Sequence, residues 1–259
     1  MASEMTTFIM KSLDVYLLIF SRILGFVATV PFFSRNNIPA PLKVGLSMMI
    51  SYIILPFVVG DVAFGSTGEF LFLVARELLI GFFMGLSETL VFNVFVSAGA
   101  HADVQIGLSM AQMVDPSSGN KNTLTGVLFT VFSYLLLLAA DIHHLLIKAL
   151  VNSFEIAPLG NFTIYSENFL TYTTKLMSYF MFASVLIIIP IMITLFLGNI
   201  LLAFMAKVMP QMNVFIVGMP FNIIVGLAII YFTIGFIKGL FIDVFKQMLE
   251  FLYMFLRIV

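Results

Sequence analysis

The segment RELLIGFFMGLSE, residues 76–88, is apolar overall but carries three charged side chains. At about 100° per residue, Glu77, Gly81, Gly85 and Glu88 fall on one narrow face of a helix. Two glycines four positions apart allow a second helix to approach closely. The segment therefore predicts a membrane-type helix whose glycine face is a packing seam, with two carboxylates beside it.

The two carboxylates of this seam admit more than one role. They could line a polar channel, carry protons, or pair with a basic side chain. A proton relay would need a chain of further acids or histidines, which the sequence does not supply. We therefore expect helix packing or ion pairing, with Arg22, Arg76 or a neighbouring subunit as the partner.

The composition of the whole chain agrees with a membrane-type protein. Of its 259 residues, 61% are hydrophobic and 10% are charged, against about 45–50% and about 25% in a soluble domain. The net charge of -1 argues against a nucleic-acid partner. The absence of cysteine excludes disulfides and thiolate metal sites.

Long apolar runs predict an all-α fold of helical hairpins. A spanning helix needs about 20 apolar residues, and the runs are too long and continuous for barrel strands. They fall roughly at 12–34, 42–60, 70–98, 123–140, 177–206 and 214–236. Some are over-long, contain charges, or carry Pro190 and Pro220, which should kink or break them. We therefore expect hairpins packed mainly on protein rather than six independent lipid-facing spans.

The one composition break is the polar, turn-rich segment 152–176. It predicts a boundary between a larger N-terminal region, residues 1–176, and a helix hairpin with an amphipathic tail, residues 177–259. The string KVMPQMN supplies the turn of that hairpin. Pro210 ends the first helix, and Gln211 and Asn213 are turn-forming side chains.

The cluster DIHHLLIK, residues 141–148, places an acid beside two histidines at the end of an apolar run. A metal-binding or proton-transfer role is one interpretation. Adjacent histidines project in different directions on one helix, so a polar helix cap is the favoured interpretation, with no metal.

The stretch HADVQIGLSMAQMVDPSSGNKN, residues 101–122, is a polar loop between two apolar blocks. It contains Asp103, Gln105, Ser109 and Asp115, but no base is spaced to activate the serine. The chain also has no G-x-S-x-G, Walker A or H-E-x-x-H motif,. No enzymatic activity and no cofactor are predicted.

Several strings taken in order give the chain its resemblance to a known family. It resembles the FliR family, the R subunits of the flagellar type III export gate, whose relatives serve virulence injectisomes. The string MPQMNVFIVGMPFNI favours the flagellar branch. The matching stretches are residues 21–34, 38–47, 76–85, 103–116, 141–154 and 205–227.

The resemblance implies an architecture and a set of partners. Residues 1–176 would be P-like and residues 177–259 Q-like, joined in a spiral gate with the P and Q subunits. The gate would pass unfolded flagellar proteins in concert with export components A and B. Its place would be the bacterial inner membrane, within the flagellar basal body, and its energy would come from the proton-motive force and a separate ATPase.

The resemblance also assigns a role to the loop 101–122, which would be a channel plug. Glycine gives the loop backbone freedom, and methionine and leucine side chains offer soft apolar closure. The plug residues would be Gln105, Gly107, Leu108, Met110, Met113 and Asp115.

One alternative function remains open from the sequence. A small secondary transporter or ion channel could use Glu77, Glu88 and Arg22 as its polar site. Such a protein would work alone or as a homo-oligomer, whereas a gate subunit would co-purify with two small hydrophobic partners in unequal numbers.

Overall fold

A computed structural model describes residues 2–34, 38–58, 65–110, 123–160, 166–211 and 213–259. Within these ranges every regular element is helical and no strand occurs, which confirms the all-α prediction. The helices are α1 (Ala2–Thr29), α2 (Pro31–Ser34), α3 (Ala40–Ile54), the 3-10 turn Leu55–Phe57, α4 (Thr67–Ile106), α5 (Leu124–Ala139), α6 (Ile142–Ile156), α7 (Ser166–Val208) and α8 (Val214–Leu256).

Five of the described helical segments are long and apolar enough to cross a membrane, and the bent pair α5 and α6 brings the number to as many as six. The five are Ser12–Thr29, Ala40–Phe57, Thr67–Ile106, Glu167–Val208 and Ile216–Leu256. The membrane-type character expected from composition is thereby confirmed.

Helices α4, α7 and α8 are much longer than the apolar runs suggested. They contain 40, 43 and 43 residues, or about 60–65 Å at 1.5 Å per residue. Neither Pro190 nor Pro220 ends its helix, so of the expected kink or break the break is wrong, and a kink stays a prediction. A proline removes one backbone hydrogen bond. Apolar helices of this type tolerate the loss because side chains, neighbouring helices or small backbone adjustments can satisfy the freed group.

The chain forms two compact units. Unit 1 consists of Met1–Val91, Asp141–Met177 and Lys246–Val259, and unit 2 of Phe92–Ala140 and Ser178–Phe245. Each of α4, α7 and α8 therefore contributes residues to both. The boundary at residue 176, which the composition break and the family resemblance both indicate, stays a prediction.

The core of unit 1 is built where α1 crosses α4 at three glycines. A Cβ on Gly81 would overlap the Arg22 carbonyl oxygen, and one on Gly25 would overlap the Leu78 carbonyl oxygen. A Cβ on Gly85 would likewise overlap Thr29. Such close approach of two backbones is possible only without side chains at these positions.

The core of unit 2 is an aromatic cluster around a second glycine contact. Phe241 packs on Phe95 and Phe129, with ring centroids 4.2 and 5.7 Å apart. Nearby, Gly99 of α4 lies directly against Gly126 of α5. Offset and edge-to-face ring pairs contribute beyond their buried area, so this cluster fixes α4 and α5 relative to the middle of α8.

We expect Gly81→Ala to destabilise the protein by about 1–3 kcal/mol, the usual cost of forcing an extra carbon into a tight core. The measurement is thermal unfolding in detergent, followed by circular dichroism. Gly45→Ala in α3 is the matched control, because a Cβ there meets nothing within 4 Å and alanine is the better helix former. Equal midpoints for the two variants would contradict the packing argument.

Candidate functional site

A buried ion pair joins α1 to α4 on the seam that the sequence singled out. Arg22 Nε donates a hydrogen bond to Glu77 Oε2 at 2.7 Å, and Arg22 Nη2 lies 2.6 Å from the same oxygen. The side chains are 0% and 3% exposed. A pair so enclosed is hardly screened by solvent, so losing either charge would leave the other buried without compensation.

The same pair reaches a third segment of unit 1. Arg22 Nη1 donates to the Ser153 carbonyl oxygen at 2.9 Å, and the guanidinium lies 4.5 Å from the Phe154 ring centroid. The second Glu77 oxygen accepts the Gly160 backbone N–H at 3.3 Å. Arg22 and Glu77 thus hold α1, α4 and the end of α6 together, with the turn that follows α6.

Glu88 has a different environment from Glu77, although both lie on the same face of α4. It is fully buried, and neither carboxylate oxygen has a hydrogen-bond partner among the residues that the structure describes. The two arginines also differ in their contacts. The guanidinium of Arg76 lies 5.8 Å from the centroid of the Phe72 ring, whereas that of Arg22 pairs with Glu77. The structure therefore brings Arg22 to Glu77 and leaves Glu88 apart.

The expectation of a loop from residue 101 is wrong, because residues 101–106 form the last turns of α4 and the chain leaves the helix at Gly107. Gly107 has φ +93°, a conformation that glycine adopts readily, and its N–H donates to the Asp103 carbonyl at 3.0 Å. Leu108 is half-buried and Met110 is 43% exposed. Met113 and Asp115 lie outside the described residues.

Asp103 ties the two ends of this loop together. It is fully buried, and its carboxylate accepts the Thr125 backbone N–H at 3.0 and 3.1 Å and the Thr125 hydroxyl. Thr123, at the N-cap of α5, makes no side-chain cap bond, so Asp103 supplies from α4 an acceptor that a helix start needs. Sequence reasoning gave Asp103 no role, because its partner is 22 residues away and no local spacing signals the pair.

The α7–α8 turn lies at the predicted proline string. Helix α7 ends at Val208 and α8 begins at Val214. Pro210 and Gln211 are exposed turn residues, and Asn213 Oδ1 accepts the Ile216 N–H at 3.4 Å. Asn213 thus occupies the N-cap of α8, where an asparagine stabilises the helix more than an apolar residue does.

The Asp141 cluster lies at the bend between α5 and α6. Asp141 has φ +55° and makes no side-chain cap bond; its Oδ1 lies 3.5 Å from His144 Nδ1 instead. The rings of His143 and His144 are 4.1 Å apart, so the expectation that they diverge is wrong. Candidate ligand atoms of all three residues lie within 4.8 Å of one another.

A cavity of about 420 Å³ in unit 2 lies where the start of the plug loop meets α7 and α8. We call it the amide cavity, because side-chain amides stand in its wall. Its lining includes Gln105, Gly107, Met110, Asn199, Met219 and Asn222. Gln105, Gly107 and Met110 belong to the predicted plug, so the cavity and the loop share residues.

Comparison with known proteins identifies the class. The profile of the family described as bacterial export proteins, family 1, matches residues 13–248. The match covers most of the chain, which therefore belongs to this family of bacterial export proteins.

The relatives within this family narrow the class further. A flagellar biosynthetic protein FliR from Aquifex aeolicus is 31% identical over 222 residues, 85% of both chains. FliR from Escherichia coli K12 is 29% identical over 243 residues, 92% of both chains. FliR from Bacillus subtilis 168 is 27% identical over 239 residues, covering 91% of this chain and 92% of the relative. The resemblance seen in the sequence strings is confirmed.

We expect Glu77→Gln to lower the free energy of unfolding by about 3–5 kcal/mol, because it leaves the Arg22 charge buried and unpaired. Replacing both partners, as Arg22→Met with Glu77→Leu, should recover most of that loss, since a well-packed apolar pair can substitute for a buried ion pair. Unfolding in detergent measures both.

Glu155→Gln serves as the matched control for this pair, because Glu155 is an exposed acid whose neutralisation should change stability little. A double variant no more stable than Glu77→Gln alone would mean that the charges are needed for more than mutual compensation.

Proposed function

We propose that this chain is a pore-forming subunit of the flagellar type III protein export gate and passes unfolded flagellar proteins across the bacterial inner membrane, within the basal body. Its partners are the P and Q gate subunits and the export components A and B. Residues 1–176 form the P-like region and residues 177–259 the Q-like hairpin. The chain has no catalytic role and no cofactor, since transport is driven by the proton-motive force and a separate ATPase.

The observation that carries this proposal is the length of the apolar helices in the hairpin. Helices α7 and α8 are each about 65 Å long,, whereas the hydrocarbon core of a bilayer is about 30 Å thick. Large apolar side chains stand exposed over much of both helices, among them Met181, Phe196, Phe204 and Phe232. A bilayer can cover only part of such a surface, so partner subunits of similar composition must cover the rest.

The start of the plug loop supports a closure role. The Asp103–Thr125 contact joins α4 to α5 across the loop, so the two ends of the loop are held to each other. Gly107 has the backbone freedom for a change between closed and open states. Leu108 and Met110, and Met113 further along the sequence, are flexible apolar residues of the kind that a compliant closure needs. Gln105 and Asp115 stand on either side of these residues in the sequence.

The alternative of a small transporter or ion channel has less support from the geometry. Its polar site would consist of Arg22, Glu77 and Glu88, and all three are buried. Arg22 and Glu77 are committed to each other, to Ser153 and to Gly160. Such a set fits a structural role better than an ion path, which needs side chains in contact with water.

Native mass spectrometry of the detergent-extracted protein tests the proposal. The chain should appear in a hetero-oligomer with two small hydrophobic subunits present in unequal numbers. A homo-oligomer of this chain that retains solute transport in vesicles would overturn the proposal in favour of the transporter.

Removal of residues 107–114 should raise ion flux through the assembled gate, because the apolar closure would be lost. A length-matched glycine–serine replacement of the same residues should leak as well, since chain length alone cannot seal a pore. The measurement is ion flux in vesicles that contain the purified gate.

Leu108→Met is the control for this experiment. It keeps a compliant apolar side chain at the same position, so flux should stay at the level of the unaltered gate. Unchanged flux in the deletion variant would rule out the plug role of the loop.

A further inference from the structure

We propose that the amide cavity is a binding site for the main chain of the transported polypeptide, which it holds by peptide-like hydrogen bonds irrespective of side-chain sequence. This inference rests on the proposed function, because it names the group through which the gate contacts its substrate. The observations behind it are the hydrogen-bonding state of two asparagines, the lack of charge among the described residues of the cavity wall, and the kind of side chain that completes the wall.

Asn199 and Asn222 stand out because they lie inside two strongly apolar helices. Polar side chains within such helices are costly and usually mark a functional position. Asn222 Nδ2 donates to Asn199 Oδ1 at 3.1 Å, which joins α7 to α8. This single bond involves one amide nitrogen and one amide oxygen, so the other oxygen and the other nitrogen of the pair take no part in it.

The unused half of the pair matches a peptide group. Asn222 Oδ1 is buried and has no hydrogen-bond partner among the described residues, so one acceptor lacks a donor. Asn199 is exposed, and an asparagine amide nitrogen is a donor. A peptide unit offers one N–H and one C=O, the complement of this acceptor and donor. Because an unpaired buried acceptor is unfavourable, the site is chemically suited to receive an N–H.

The wall around the pair favours a neutral and variable ligand. Of the described residues that line the cavity, none carries a charge, so a carboxylate, phosphate or ammonium group would find no ionic partner in that wall. Gln105 adds a third side-chain amide, and Met110, Met219 and Leu202 complete the wall. Flexible thioether side chains adapt to differing shapes, which lets one site accept many different side chains.

The size of the cavity also fits a short stretch of polypeptide. Its volume of about 420 Å³ lies in the range of about 300–1,000 Å³ that is usual for ligand sites. An extended chain presents its peptide groups at regular spacing. Successive peptide groups can therefore form hydrogen bonds with the side-chain amides in turn as the polypeptide advances. Ordinary neutral hydrogen bonds are weak enough to be exchanged at each step.

Photo-crosslinking in the assembled gate tests the inference. A photoreactive amino acid is placed at Met219, inside the cavity, and at Ile224, an exposed apolar position of α8 that is not part of the cavity wall. A third position, Leu108, reports on the predicted plug. The probe is a flagellar export substrate fused to a stably folded domain, which arrests the chain in transit.

We expect an adduct with the arrested substrate at Met219 and none at Ile224. The Met219 adduct should persist when the arrested segment is replaced by a glycine–serine sequence, because recognition is through the main chain. Replacing both asparagines by leucine should lower the Met219 adduct yield roughly tenfold, the effect of losing two ordinary hydrogen bonds, while the gate still assembles.

Each other outcome has a distinct meaning. An adduct at Leu108 without one at Met219 overturns the cavity inference and leaves the proposed function intact. No substrate adduct at either position overturns both. A Met219 adduct with another gate subunit, or an unchanged yield in the double leucine variant, shows that the asparagine pair only fastens α7 to α8.

Discussion

A buried arginine needs a carboxylate partner in an apolar helical protein, and much of unit 1 is arranged around that requirement. Arg22 and Glu77 meet only because α1 and α4 cross closely, and they cross closely because Gly81 has no side chain in front of the Arg22 carbonyl. Ser153 and Gly160 supply further hydrogen bonds to the pair. One electrostatic requirement thus joins three parts of the chain that lie far apart in the sequence, around residues 22, 77 and 153–160.

The second constraint is the mismatch between helix length and bilayer thickness. Helices about twice as long as the hydrocarbon core cannot be covered by lipid alone, and their exposed apolar side chains need protein partners. This mismatch supports the proposal that other subunits cover part of these helices. The proposal agrees with the membership of this chain in a family of bacterial export proteins.

Much of the fold followed from patterns that are local in the chain. The all-α class, the membrane-type character, the glycine seam on α4 and the family resemblance all depend on composition, period or short strings. The Asp103–Thr125 contact, the separate environment of Glu88 and the amide pair of Asn199 and Asn222 depend on residues that spacing cannot bring together. The same holds for the continuity of α7 through Pro190, where the sequence pattern indicated a kink or a break.

The sequence by itself determined the kind of protein this is, because hydrophobic content and helical periodicity are sums over neighbouring residues. It also determined which residues of α4 face a partner helix, since 3.6 residues per turn assigns each side chain to a face. The tertiary structure alone decided which acid of that face received the arginine. Glu77 and Glu88 are equivalent in sequence pattern, and only the point where α1 crosses α4 places the guanidinium beside one of them, because a buried charge can be satisfied only by a group within hydrogen-bond reach.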